Sequence, residues 1–238
     1  MKDKIIIHIP HSSLYLPKEF YNRIILDKEY VEEENKFMCD YKVDLFLPKG
    51  FNILKFNYSR LFCDVERYKI DKLEEMSKYG MGVIYEKDSN GNKFINLDKK
   101  YKNNIIKKYY DKHHNKFNNL VNETLKKYNI CYIIDLHSYS DLFVKKVLNK
   151  SNNPDICIGI NKEYYSKKLT DFTINHFKKY GYSIKINYPY SGTMCPNKKD
   201  DRVKSIMIEI NKRIYLNNNN KLLKCMNEYW NNIDNITL

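Results

Sequence analysis

Two histidines and one glutamate lie at the ends of apolar runs, where a side chain can do chemistry. His11 follows the run Ile5–Ile9, His137 follows the run that begins at Cys131, and Glu209 lies near the end of a third apolar run. A catalytic zinc ion takes three protein ligands, often imidazoles and carboxylates, and keeps one position open. Two histidines and a carboxylate placed in this way therefore suit a catalytic zinc site.

Glu209 carries the strongest signal because its neighbours in the sequence are Met207, Ile208 and Ile210. An ionised carboxylate among apolar groups is costly unless it is paired or used in the chemistry of a site. A glutamate beside a metal ion can act as general base towards water and later as general acid. A single histidine after a strand is more often a structural residue, so the hypothesis depends on the three residues together.

The elements that must position these residues alternate between apolar strands and amphipathic helices. Strands are predicted at 5–9, 51–56, 131–136, 156–160, 184–186 and 205–210, with a further extended piece at 61–65. Helices are predicted at 17–26, 28–46, 98–128, 166–180 and 221–233, and residues 69–95 are expected to form a hairpin-like excursion. The alternation predicts an α/β fold with a mixed, mostly parallel central sheet flanked by helices. Ligands bind such sheets beyond the carboxyl ends of the strands.

Length and composition favour one globular domain. The chain has 238 residues, of which 42% are hydrophobic, and no linker-like stretch divides it, so we predict a single domain over 1–238. No apolar stretch approaches the roughly 20 residues of a membrane span. The first apolar run is too short for the core of a signal peptide. The sequence thus predicts a soluble, cytoplasmic protein without a membrane partner.

The formal net charge of +13 raises an alternative from another class, a basic protein that binds nucleic acid. The excess is mostly lysine, and the lysines are dispersed along the chain. No nucleic-acid-binding motif is found, and the polar groups of interest gather at strand ends, which disfavours this alternative. Arginine is the more informative cation, because its planar fork binds carboxylates through two hydrogen bonds. Two of the five arginines, Arg60 and Arg67, lie close together.

Two other site types find little support. The six cysteines are scattered without CxxC spacing, which disfavours a zinc ribbon or a redox pair and indicates reduced, buried thiols. Ser12, Ser138 and Ser191 are expected in loops, but the GxSxG turn of many serine hydrolases is absent from the sequence. A serine hydrolase is therefore ranked below a metal enzyme.

An ordered set of short motifs runs over nearly the whole chain. The motifs are Ile9-Pro10-His11-Ser12-Ser13, Asp40-Tyr41-Lys42-Val43-Asp44, Ser59-Arg60 with Asp64-Val65-Glu66-Arg67, Tyr109-Tyr110 with His114, Asp135-Leu136-His137-Ser138, Pro154-Asp155-Ile156, Asn187-Tyr188-Pro189-Tyr190-Ser191-Gly192 and Ile208-Glu209-Ile210-Asn211-Lys212-Arg213. Taken together, these motifs resemble the N-formylglutamate amidohydrolase family. Each motif is short, and it is their order that makes the resemblance specific.

The resemblance implies a fold similar to the zinc carboxypeptidases, which are phosphorylase/hydrolase-like. It implies one Zn²⁺ per chain and hydrolysis of the amide between a formyl-type acyl group and an acidic amino acid, a small-molecule substrate. The chain also looks distantly similar to the aspartoacylase group, in which an asparagine is usual where Glu66 stands. A zinc-dependent hydrolase of another N-acyl amino acid or a small peptide is the nearest alternative.

The expected roles follow from this resemblance and from the positions of the residues. His11 and His137 are predicted as metal ligands and Glu209 as the general base. Asp40, on a predicted helix, is the preferred third ligand, and Asp44, one helical turn away, Asp64 and Glu66 remain alternatives. The residues expected to bind substrate are Ser12, Arg60, Arg67, His114, Ser138, Asn187, Tyr190, Ser191 and Gly192.

Overall fold

The computed structural model describes residues 2–234 and shows an α/β fold with a mixed six-stranded sheet flanked by helices. The strands are β1 (Ile5–Ile9), β2 (Asn52–Lys55), β3 (Cys131–Tyr139), β4 (Ile156–Gly159), β5 (Ile184–Ile186) and β6 (Val203–Asn211). The helices are α1 (Lys18–Tyr21), α2 (Lys28–Met38), α3 (Lys99–Ile105), α4 (Asp111–Tyr128), α5 (Asp141–Leu148), α6 (Lys167–Lys179) and α7 (Asn220–Asn232).

The strands follow the order β2-β1-β3-β6-β4-β5. β1 pairs with β3, β3 with β6 and β4 with β5 in parallel, whereas β4 and β6 pair antiparallel. The predicted mixed, mostly parallel sheet is therefore confirmed. The central strands are runs of isoleucine and other apolar residues because parallel strands are buried on both faces.

The chain groups into two compact units. Of the described residues, one unit, which we call the sheet unit, contains 2–9, 42–54 and 118–234, and the other, the arginine unit, contains 10–41 and 55–117. The single domain over 1–238 stays a prediction. Position 1 and positions 235–238 of that range lie outside the described residues.

The sheet unit has one apolar and one partly polar face at its centre. Successive side chains of a strand point to opposite faces, so Leu136 on β3 and Ile208 on β6 share the face that packs with Phe177 of α6 and Trp230 of α7. His137 and its register partner Glu209 share the opposite face. The alternation within β3 and β6 is what separates the core from the candidate site.

The arginine unit is built from short helices and irregular segments. Its aromatic core includes Phe20, whose ring centroid lies 6.4 Å from that of Phe62 and 6.1 Å from that of Phe94. The predicted hairpin-like excursion is present: Lys87 and Lys93 form an antiparallel bridge across the Asn90-Gly91 turn.

Three local predictions were wrong, and one helix was not predicted. The helix predicted at 17–26 ends at Tyr21. The predicted helix at 28–46 ends at Met38, and Lys42 takes a left-handed conformation with φ 64°, which a continuous helix cannot contain. The predicted extended piece at 61–65 forms turns, since the amide of Glu66 donates to Asp64 Oδ1. Helix α5 was not predicted.

The predicted helix at 98–128 is present, with a π-helical segment, Ile106–Tyr110, between α3 and α4. Among the helices of residues 2–234, none combines the length and the hydropathy that crossing a membrane requires.

Candidate active site

His11 lies in the loop that follows β1, within the arginine unit, and is almost fully buried. Its Nε2 lies 2.8 Å from Asp64 Oδ1. Because a carboxylate only accepts, a neutral His11 donates from Nε2 and keeps its lone pair on Nδ1. Nδ1 lies 3.9 Å from Asp40 Oδ2 and 3.8 Å from Glu66 Oε2. Burial lowers the pKa of His11, and Arg60 adds to this effect, which favours the neutral form that binds metals.

Asp40 was predicted to lie on a helix, and this prediction was wrong. It lies in the loop after α2. Its amide donates to the carbonyl of His11 at 2.9 Å, so the two loops are joined next to the candidate ligands. Because the helix ends at Met38, Asp44 does not lie one helical turn from Asp40 on the same helix. That basis for choosing Asp44 is lost.

Asp64 is fully buried and organises the arginine unit. Arg60 donates to Asp64 Oδ2 from Nε at 3.1 Å and from Nη2 at 2.8 Å, and the Tyr85 hydroxyl donates to the same oxygen at 2.9 Å. Burial opposes the charge of Asp64, but His11, Arg60 and Arg67 outweigh it and hold the pKa of its carboxyl well below the usual range. Asp64 is therefore an anion whose oxygens are already occupied, which suits a residue that orients His11.

Arg67 is held more loosely than Arg60. Its Nε lies 3.6 Å from Asp64 Oδ2 and its Nη1 lies 3.7 Å from Glu74 Oε1, both longer than a hydrogen bond. Within residues 2–234, the Nε of Arg67 has no hydrogen-bond acceptor. A carboxylate ligand is the kind of group that would complete its donor fork.

A buried network that sequence reasoning missed connects the segments of the arginine unit. Asn35 on α2 donates from Nδ2 to the carbonyl of Leu14 at 2.8 Å and accepts from the hydroxyl of Ser59 at 2.6 Å. Ser59 precedes Arg60, and Leu14 follows the His11 loop. The only signal in the sequence was that Asn35 stands at a buried position of an amphipathic helix.

In the sheet unit, His137 lies within β3 and its Nε2 is 3.0 Å from Asp135 Oδ1. The same oxygen lies 2.8 Å from Nδ1 of His8 on β1, and Asp135 Oδ2 accepts from the amide of Met194 at 2.7 Å. A neutral His137 that donates from Nε2 again keeps its lone pair on Nδ1. His8 is fully buried within β1 and contacts Asp135.

Glu209 stands beside His137 in the register of β3 and β6 and is nearly buried. On its other side it pairs with Cys157 of β4. Burial raises the pKa of the Cys157 thiol to about 12, so this cysteine is protonated and unreactive. The general base predicted from sequence and one of the predicted ligands thus share one face of the sheet.

The predicted substrate-binding residues fall into different settings. Ser12 is buried in the His11 loop, and within residues 2–234 its hydroxyl has no hydrogen-bond partner. His114 Nε2 lies 2.7 Å from the carbonyl oxygen of Val65. Ser138 points away from His137 and accepts from the Tyr215 hydroxyl at 2.9 Å, on the face that packs against α7.

The predicted loop Asn187–Gly192 belongs to the sheet unit and continues into Met194, whose amide contacts Asp135. Asn187 Oδ1 accepts from the amide of Ile160 at 2.8 Å, and the ring of Tyr190 lies 5.9 Å from that of Tyr139. Ser191 is exposed, and Gly192 has φ 86°, a conformation that favours glycine. The loop is thereby tied to the same strand as His137.

The donor chemistry fits a divalent metal ion. Each of the two histidines has its Nε2 on a buried carboxylate, the arrangement that orients metal-binding imidazoles in proteins. In the arginine unit, Nδ1 of His11 also has two carboxylates within 4 Å. Imidazole nitrogen and carboxylate oxygen are ligands that zinc accepts.

Comparisons with known proteins concern the fold and the family of the chain. The structure is similar to the crystal structure of N-formylglutamate amidohydrolase from Ralstonia eutropha JMP134, with a TM-score of 0.80 and 19% identity over 95% of this chain and 90% of that one. It is also similar to gene product Atu2144 from Agrobacterium tumefaciens, with a TM-score of 0.69 and 16% identity over 98% and 94% of the two chains. At these identities the likeness shows the fold alone.

No curated protein matches the chain. The family model described as N-formylglutamate amidohydrolase matches residues 3–216. The chain therefore belongs to the N-formylglutamate amidohydrolase family.

Proposed function

We propose that this chain is a metal-dependent amidohydrolase that cleaves the formyl-type amide of an acidic amino acid, such as N-formylglutamate. Family membership supports a hydrolase that acts on a small molecule and gives no support to the nucleic-acid-binding alternative. The observation that carries the metal proposal is the buried His11 imidazole, oriented by Asp64 with its Nδ1 towards Asp40 and Glu66. We also propose that the fold is similar to that of the zinc carboxypeptidases, as the resemblance implied.

The proposed ligands are the predicted set His11, Asp40 and His137, and the proposed metal is one zinc ion. Asp64 orients His11 and Asp135 orients His137. Neither of these two aspartates therefore needs to bind the metal itself. Glu66 remains an alternative to Asp40, since the two carboxylates lie almost equally far from His11 Nδ1. A zinc ion supplies a Lewis acid for the scissile carbonyl and lowers the pKa of water.

Glu209 is the proposed general base. It takes a proton from the attacking water and delivers it to the nitrogen of the leaving amino acid. The amide C–N bond breaks, and formate and the free amino acid leave.

Arg67 is the residue proposed to bind a carboxylate of the substrate, because its donors are not saturated by the protein. Arg60 is already bound to Asp64 through two hydrogen bonds, and its Nη1 lies 3.9 Å from Asp40 Oδ1. We assign two roles to Arg60. It holds Asp64 and Asp40 in place, and it stabilises the negative charge that develops on the carbonyl oxygen of the substrate. Another N-acyl amino acid or a small peptide is the second candidate, and a substrate panel separates the two.

The test is a comparison of Glu209→Gln with Glu163→Gln, which changes an exposed glutamate in the same unit. Glu209→Gln is expected to keep its zinc and to lose about 10²- to 10⁴-fold in turnover of N-formylglutamate, the usual contribution of general acid–base catalysis. Glu163→Gln is expected to match the unmodified enzyme in both. Normal turnover by Glu209→Gln would remove the assignment of the base.

A further inference from the structure

The helical residues 99–117, the part of α3, the π-helical segment and α4 that lies in the arginine unit, contain a feature that the proposed chemistry does not explain. Ile105 and Tyr110 are both buried although they are five residues apart, and the step between them coincides with the π-helical segment Ile106–Tyr110. Such turns interrupt an α-helix with one wider turn and are frequent at functional sites. Here the wider turn lets two adjacent tyrosines make separate packing contacts. The ring of Tyr109 lies 4.8 Å from that of Phe62, whereas the ring of Tyr110 stacks on that of His114.

Tyr110 and His114 hold the main chain on both sides of the pair Glu66-Arg67. The hydroxyl of Tyr110 donates to the carbonyl of Arg67 at 2.9 Å, and Nε2 of His114 lies 2.7 Å from the carbonyl oxygen of Val65 and donates to it. The two rings stack with their centroids 4.2 Å apart, as expected for residues four apart on one helix face. The peptide groups before Glu66 and after Arg67 are thereby fixed.

A third contact extends this grip along the same segment. Lys69 forms an ion pair with Asp111, and its Nζ lies 5.3 Å from the centroid of the Tyr110 ring. Residues 65, 67 and 69 are thus each held by the first turns of α4 and the end of the π-helical segment. Because the segment is held at every second residue, the directions of its side chains, including those of Glu66 and Arg67, are fixed.

This grip matters for Arg67 more than for Arg60. Two direct hydrogen bonds from Arg60 to Asp64 fix its guanidinium group, whereas the ion pairs of Arg67 are 3.6 Å and 3.7 Å long. The Tyr85 hydroxyl also interacts with Arg67. The position of the Arg67 side chain therefore depends on this contact and on its own main chain.

We infer that Tyr110 and His114 are positioning residues that place Arg67 for the substrate carboxylate by holding the carbonyl groups of Val65 and Arg67. The inference deepens the proposed function and rests on it, since it takes Arg67 as the residue that binds that carboxylate. It also gives His114 a different task from the direct substrate contact predicted from sequence. The substrate class that gains from this arrangement is an N-acyl amino acid with an anionic group.

The test is Tyr110→Phe in the zinc-loaded enzyme, with Tyr101→Phe as the matched control. Tyr101 lies on the same helix, is equally buried, and its hydroxyl lies 3.5 Å from the carbonyl oxygen of Glu19, remote from Arg67 in the sequence. Tyr110→Phe is expected to raise KM for N-formylglutamate about tenfold, the effect of one lost hydrogen bond to a buried carbonyl, with kcat and zinc content unchanged. Tyr101→Phe is expected to leave KM unchanged.

Two readings separate this inference from the proposed function. Hydrogen–deuterium exchange of residues 65–68 is expected to rise in Tyr110→Phe but not in Tyr101→Phe, and calorimetry is expected to show about tenfold weaker L-glutamate binding. Faster exchange with unchanged KM and glutamate affinity would leave a purely structural contact and overturn the inference. An unmodified enzyme that hydrolyses no N-acyl amino acid would overturn the proposed function, and unchanged glutamate affinity in Tyr110→Phe would then overturn the inference as well.

Discussion

The two units of the molecule each hold a buried histidine by its Nε2 on a buried aspartate, but they stabilise that aspartate in different ways. In the arginine unit, Asp64 is compensated by charge, with Arg60 bound to it and Arg67 nearby. In the sheet unit, Asp135 is held by His8 and by the amide of Met194.

The backbone under each pair differs in the same sense. His137 and Asp135 stand two residues apart on β3, which is paired on both sides, so the strand itself sets their geometry. His11 and Asp64 come from separate loops, which have no such ladder. An aspartate that orients a buried histidine can thus be positioned in two ways. A sheet positions Asp135, whereas a cluster of charges positions Asp64 where loops meet.

The largest expected effect is on the loop-built pair. Asp64→Asn removes a fully buried anion between two part-buried guanidinium groups, and it should destabilise the protein by about 3–5 kcal/mol, as breaking a buried ion pair does. The measurement is the free energy of unfolding in urea, taken on metal-free protein. A loss below about 1 kcal/mol, the size of an exposed pair, would show that charge does not hold this unit together.

Asp135→Asn should do less to folding and more to the metal. Its partners are the imidazoles of His8 and His137 and the main-chain amide of Met194, so the expected loss of stability is about 1–3 kcal/mol. Zinc affinity should fall about 10- to 100-fold, the usual effect of changing a residue that orients a ligand. Competition with a chelator measures the zinc affinity. An unchanged affinity would show that Asp135 does not orient His137 for metal binding.

Acid should act on the arginine unit through Asp64. A carboxyl whose pKa is lowered in the folded state contributes stability that is present above the unfolded pKa, about 4, and is lost as pH falls through the folded value. Metal-free protein should therefore lose stability below about pH 4, and Asp64→Asn should lose less over the same range. Equal slopes for the two proteins would contradict the role of Asp64.

The smallest expected effect lies on the other face of the sheet. Tyr215→Phe removes the hydrogen bond to Ser138, and the loss of stability should be about 1 kcal/mol. Zinc affinity and KM should not change, because this face packs against α7. A clear change in KM would bring Ser138 back as a substrate-binding residue.

Much of the sheet unit could be predicted from the sequence. The apolar runs that form β1, β3 and β6 are rich in isoleucine, and Glu209 could be located on the last of them. His137 was expected just after a strand at 131–136, but β3 continues to Tyr139 and contains it. The arginine unit could be predicted only in part. The helix at 28–46 was extended too far because apolar spacing alone does not reveal the left-handed turn at Lys42.

The partners of the site residues could not be predicted, since they depend on contacts between distant parts of the chain. His8 joins Asp135 across 127 positions, and Asp135 receives the Met194 amide across 59. Two adjacent tyrosines, Tyr109 and Tyr110, lie four and five residues after the buried Ile105. This pair was a signal of the π-helical segment that the expected helical spacing did not reveal.

The central claim is that His11 and His137 hold one metal ion, and the most direct measurement is the zinc content of purified protein. We expect about one zinc ion per chain in the unmodified protein, and its loss in both His11→Ala and His137→Ala. His176→Gln, which changes a buried histidine bonded to the carbonyl of Cys225, is expected to keep its zinc. Full zinc content in either alanine variant, or no zinc in folded protein purified without chelator and then exposed to zinc, would contradict the account.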